Sequence, residues 1–194
     1  PRNVRRINMS GVTCELCREP FEVNGHYFSP FIMLQNSEVG GSSIRFSSGL
    51  VEAVCANLNL WGVTGMAEVS IAHKGDPLKR LMKTFEGFLN TWVKTPPTEE
   101  ENIIRLAMGK TIAKDVAGVQ EILGQKTNLS SKAVMEAVNL VERGNMSTGI
   151  VSQDPTNLWN LVAAITANAR HLVNQNEQMD MVRQGGKLMS LALR

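Results

Sequence analysis

Apolar and polar positions change their rhythm near Gly75. Before it, short apolar runs alternate with Gly, Ser and Asn, as strands and turns do. After it, apolar residues recur at three- and four-residue spacing, the period of helices. In the first half, Phe31-Ile32-Met33-Leu34 predicts one strand and Ile44-Arg45-Phe46 the returning one, with Gly40-Gly41 suited to the hairpin turn between them. Glu68 to Ala72 alternates polar and apolar side chains and predicts a third strand, closed by His73-Lys74-Gly75. Leu50 to Leu60 fits either element: Leu50, Val51, Val54, Leu58 and Trp61 fall on a helical face, and the Val and Cys content suits a strand. The helical spacing favours a helix there.

The second half carries stronger punctuation. Asp76-Pro77 supplies an N-cap and a first-turn proline, and Leu78, Leu81, Met82, Phe85, Phe88, Leu89 and Trp92 then predict a helix to Lys94. Pro96-Pro97 breaks it. Thr98 and Glu101 have the spacing of a capping box, which predicts a second helix through about Val116, with Glu99, Glu100 and Glu101 in its first turn. A third helix is expected from Ser130 to Gly144, a fourth from Asp154-Pro155 through Leu172, and a last one from Gln178 to Leu193, weakened at Gly185-Gly186. The fold expected is α+β, an N-terminal hairpin or small antiparallel sheet followed by a helical half. Residues 1–30 form an N-terminal arm, 31–95 a β-rich core with the first long helix, and 96–194 a helical region that forms one domain with 31–95.

The 194 residues, 43% hydrophobic and with a net charge of +2, exclude disorder and collagen-like repeats. No apolar run has the length of a membrane span, and PRNVRR lacks the apolar core of a secretory signal, so no membrane partner and a cytoplasmic location, that of a host cell, are expected. Three cysteines are too few for a disulfide framework.

Cys14-Glu15-Leu16-Cys17 is a CxxC, with His26 nine residues on. Two thiolates so spaced can chelate zinc from a tight turn, and the imidazole can add a third ligand, so Cys14, Cys17 and His26 are candidates for a structural zinc site. Two reduced loop thiols are the alternative, and no other cofactor is expected. Cys55 and His73 could pair as nucleophile and base, yet nothing in the spacing brings them together and no orienting partner can be named. No catalytic residue is assigned. Gly40-Gly41-Ser42-Ser43 has neither the Walker nor the dinucleotide spacing.

The basic residues cluster. Arg2, Arg5 and Arg6 form an arm, and Lys74, Lys79, Arg80 and Lys83 follow the loop and polar side of the first long helix, with Lys79 and Lys83 one turn apart. Tyr27, Phe28, Phe31 and Trp61 precede them; rings of this kind stack bases while Lys and Arg hold phosphates. The alternative is a solvated helix face with its aromatics in the core.

Four stretches, QNSEVGGSSIRF (35–46), LVEAVCANLNL (50–60), VSIAHKGD (69–76) and TNLWNLVAAITANARH (156–171), together resemble an uncharacterised family of phage, plasmid and prophage proteins classed as a domain of unknown function. Asn36, Ser37, Glu38, Gly40, Cys55, Asn57, His73, Gly75, Trp159, Asn160 and Thr166 carry the resemblance; the CxxC lies outside it. The resemblance implies a mobile-element setting, and the outline of a β-hairpin sheet followed by helices is similar to single-strand annealing proteins. The function expected is a non-enzymatic DNA-binding protein, for single-stranded DNA binding or annealing in replication or recombination, acting as a homo-oligomer. Arg45, Lys74, Lys79, Arg80 and Lys83 would track phosphates, and Phe28 or Trp61 would stack bases. The rival expectation is a phage assembly protein, or an inhibitor of a host defence system, acting through protein surfaces.

Overall fold

The structure, a computed structural model, describes residues 6–8, 11–17, 19–36, 43–52, 58–59, 69–72, 74–94, 96–145 and 152–194. Among the described residues the strands are β1 (Arg6–Asn8), β2 (Gly11–Cys17), β3 (Phe21–Val23), β4 (His26–Asn36), β5 (Ile44–Glu52), β6 (Leu58–Asn59) and β7 (Val69–Ile71). The helices are α1 (Pro77–Lys94), α2 (Thr98–Met108), α3 (Val116–Lys126), α4 (Ser131–Arg143), α5 (Leu158–Ala169) and α6 (Gln175–Leu188), ending in a 3₁₀ turn at Met189–Leu193. The chain is therefore α+β, divided where the apolar rhythm changes. No described helix is long and apolar enough to cross a membrane.

The sheet is antiparallel in the order β1-β2-β4-β5-β6, with β3 added to β4 and β7 to β5. Leu34 lies opposite Phe46 and Pro30 opposite Leu50, so alternation brings Phe28, Leu34, Phe46 and Leu50 to one face. That face has two coverings. Ile44, Phe46 and Ile71, with Leu34, pack under Leu81, Phe85 and Phe88 of α1. Val23, Phe28 and Leu50 instead join the core of α2 to α6. Phe31 belongs to that same core, and Ser47 is buried too.

The helical half is assembled around α5. Its sequence is apolar on nearly every side, and nine of its twelve residues are buried, as a helix surrounded by neighbours requires. It packs against α2, α4, α6 and β6, and Trp159 meets Phe28 of β4 edge-on at 5.5 Å.

Some elements differ from expectation, each for a physical reason. Leu50 to Glu52 ends β5 and Leu58-Asn59 is a strand, so the helix expected over 50–60 is absent at both described ends, where pairing of Leu50 with Asn59 and Val51 with Leu58 prevails over helical spacing. The hairpin turn read at Gly40-Gly41 lies outside the described residues, although β4 and β5 pair as its two arms. A second hairpin was legible and missed: Asn24 and Gly25, both at positive φ, join β3 to β4, as the Asn-Gly pair of a type I′ turn does. Residues 21–30 thus belong to the sheet.

The helix expected from Thr98 to Val116 stops at Met108. Beyond it the chain pairs with the entry to α5: Ile112 N–H donates to the Thr156 carbonyl (2.9 Å) and Leu158 N–H to that of Lys110 (2.8 Å). Asp115 then caps α3, which sequence reading overlooked. The capping box does not form, because α2 already starts at Thr98 with no side-chain cap. Asp154 also fails to open a helix. Its carboxylate accepts from the N–H and hydroxyl of Thr156, and Asn157 caps α5. Ser130 and Gly144 bound α4 as expected. The Gly185-Gly186 pair lies within α6 without interrupting it.

Candidate nucleic-acid interface

The entry to α1 is built by local chemistry. Gly75, at φ +68°, turns the chain out of β7, and the Asp76 carboxylate accepts the N–H of Lys79 at 3.0 Å. Arg80 ties the turn down: its guanidinium donates to the carbonyls of Ala72 (2.9 Å) and Lys74, and more weakly to that of Asp76 (3.4 Å).

α1 has no buried residue. One flank reaches the sheet through Phe85 and Phe88, whose rings meet Phe46 at 5.6 and 5.4 Å. The rest faces outward. Lys79, Lys83 and Lys94 are exposed; the 100° step per residue puts the first two one turn apart and Lys94 within about 20° of Lys83, three turns on. Lys74 is exposed at the helix entry. Among the described residues none of these four lysines forms a salt bridge. The side chains can follow a chain of phosphates along about 22 Å of helix, from Lys79 to Lys94.

The other expected phosphate and base contacts fare differently. Arg80 is occupied by its own turn and acts as a strap. Arg45 is half-buried on β5, and alternation turns it away from Ile44 and Phe46, hence away from the face that α1 covers. Phe28 cannot stack a base: it is fully buried, tilted against Phe21 at 5.8 Å and edge-on to Trp159. Its neighbour Tyr27 is 48% exposed, and the hydrogen bond of its hydroxyl to Glu22, together with the charge of that carboxylate, pushes the phenol above its ordinary pKa. That carboxylate disfavours an approaching phosphate. Trp61 lies outside the described residues.

The zinc reading is corrected by the register. Cys14 and Cys17 sit in the extended strand β2, not in a tight turn, opposite Leu34 and Phe31 of β4. His26 is at the far end of β4, opposite Val23. The five and eight residues from His26 to Phe31 and Leu34 correspond to about 17 and 27 Å of strand, against the roughly 2 Å reach of a zinc ligand. His26 packs near Phe28 and Trp159 instead. Among the described residues no three His, Cys, Asp or Glu group as metal ligands.

Of the residues that carry the family resemblance, Ser37, Glu38, Gly40, Cys55, Asn57 and His73 lie outside the described residues, as does any Cys55-His73 pairing. Asn36 pairs with Val12 in the sheet. Trp159 is core, Asn160 donates to the Asp154 carbonyl (3.0 Å), and Thr166 bonds back to Val162 within α5. The stretch 156–171 is thus a folding signature. The cationic side of α1 takes from the resemblance only its entry, with Gly75.

Among known families, residues 13–188 match a domain of unknown function, DUF932. Comparison with curated proteins and with solved structures finds no match.

Proposed function

Starting from a chain that belongs to the DUF932 family, we propose that it binds a nucleic acid through the phosphate backbone and catalyses no reaction. One observation carries this reading. Residues 74–94 hold five cations (Lys74, Lys79, Arg80, Lys83, Lys94) and two carboxylates (Asp76, Glu86), a surplus of three in a chain whose whole net charge is +2. The remainder is therefore slightly acidic in sum, and α1 with its entry is an outward surface whose local charge exceeds that of the whole chain. Phosphates held by unpaired lysines release their counterions, which supplies sequence-independent affinity. The stretches similar to phage and plasmid proteins support a mobile-element setting, with the host cytoplasm as the place of action and self-association along the strand.

Fluorescence anisotropy of labelled oligonucleotides at about 50 and 200 mM salt tests the reading. Changing Lys79 and Lys83 to Glu should weaken binding to all sequences alike, and removal of two phosphate contacts should flatten the logarithmic salt slope by about 1.4 to 1.8. Unchanged affinity removes α1 from the interface. Absence of binding at low salt, with self-assembly of the protein alone, favours the rival reading of an assembly protein.

A further inference from the structure

Leu78, Met82 and Val93 of α1 are 65%, 62% and 58% exposed. At 100° per residue they fall within a 60° arc, a row along the outward side between the flank seated on Phe46 and the lysines. Leu78 and Met82 lie one turn apart and Val93 three turns on, with half-buried Leu89 between them, and the other open side of the helix carries the three lysines, with one carboxylate, Glu86, at the border between the two sides. From this pairing of rows we infer that α1 takes single-stranded rather than duplex nucleic acid. Phosphates lie on the side of Lys79, Lys83 and Lys94, and unpaired base faces cover Leu78, Met82 and Val93. The inference rests on the backbone-binding reading and adds its substrate class.

The chemistry of the two polymers decides between them. A single strand has two unlike edges, charged phosphates on one and apolar base faces on the other, and the exposed surface of α1 is divided in the same way. In a duplex the base faces are stacked inside, and what reaches the surface is base edges, sugars and phosphates, with the thymine methyl group as the one apolar part of the base edges. A duplex docked on the lysines would leave the apolar row in water or set it against charged phosphate oxygens. Contact with base faces needs no particular base, so binding should be tolerant of sequence. Phe28, the ring foreseen for this task, is in the core, and the aliphatic row takes its place.

The test compares the full chain with two variants on a labelled 20-nucleotide single strand and its duplex. One variant changes Leu78, Met82 and Val93 to Ser; the other changes Lys79, Lys83 and Lys94 to Gln. All six residues are exposed, and unchanged thermal unfolding shows that both variants fold. The wild type should prefer the single strand by about tenfold or more, and the serine variant should lose most of that preference while keeping its salt slope. The glutamine variant should lose affinity for both forms together with the salt slope. Equal affinity of the wild type for both forms, or a preference that survives the serine changes, overturns the inference and leaves backbone binding standing. Absence of binding to either form overturns both. If the wild type is a dimer in sedimentation equilibrium and the serine variant a monomer, a second copy covers the row and the inference also fails.

Discussion

Gly185 lies where α6 crosses α5. A Cβ there would meet the Thr166 methyl at 3.1 Å and that of Ile165 at 3.5 Å, so the helices approach as closely as they do because the side chain is absent. Gly185→Leu should therefore overpack the crossing by about 1 to 3 kcal/mol and lower the unfolding temperature by roughly 2 to 12 °C. Gly124, exposed in α3 with nothing near it, predicts the reverse: Gly124→Ala should stabilise by about 0.5 to 1 kcal/mol. Thermal unfolding measured by circular dichroism separates the two, and no loss in Gly185→Leu would contradict the close crossing. Asp154 adds a pH dependence. The hydroxyl and N–H of Thr156 hold its carboxyl below the ordinary 3.8. A lowered folded pKa stabilises above the unfolded value and loses its contribution as pH falls through the folded one. The acid limb of the unfolding-temperature profile below pH 3.8 should flatten in Asp154→Asn; an unchanged limb would show that the turn contributes nothing.

Among the described helices, α1 alone has no residue in the core. It has no buried residue and rests on the sheet through Leu81, Phe85 and Phe88, whereas α5 is buried over most of its length. Its amides should exchange with solvent faster than those of α4 and α5, and hydrogen exchange read by mass spectrometry checks this; equal protection would mean that α1 opens only with the whole molecule. The elements legible in the sequence were those whose signals are local. Asp76-Pro77 for α1, Ser130 with Gly144 for α4, and the alternation of β7 all act within a few residues of the element they define. Elements set by distant partners were misread. The pairing of Lys110 and Ile112 with Leu158 and Thr156 divides what looks like one helix into α2 and α3. The same division runs through the candidate site. The lysine side of α1 follows from helical period alone, while the burial of Phe28, the strap made by Arg80 and the separation of His26 from the cysteines depend on strand register and packing.

At the scale of the molecule, one apolar core runs from Val23, Phe28 and Leu50 of the sheet through α2 to α6. Interlocked in this way, the described sheet and helices should unfold together. Near-ultraviolet and far-ultraviolet circular dichroism should give one coincident denaturant transition, and separated midpoints would show two independent units. The central place of α5 also bears on the order of events during synthesis. Everything that packs on it except α6 and the 3₁₀ turn leaves the ribosome before it does, at about 5 to 20 residues per second. For the seconds until Leu158 to Ala169 emerge, α4 has only α3 and α2 only the β3 end of the sheet to pack on, and the helix that joins them in one core is missing. The nascent chain must therefore carry apolar surface longest in the half that is made first.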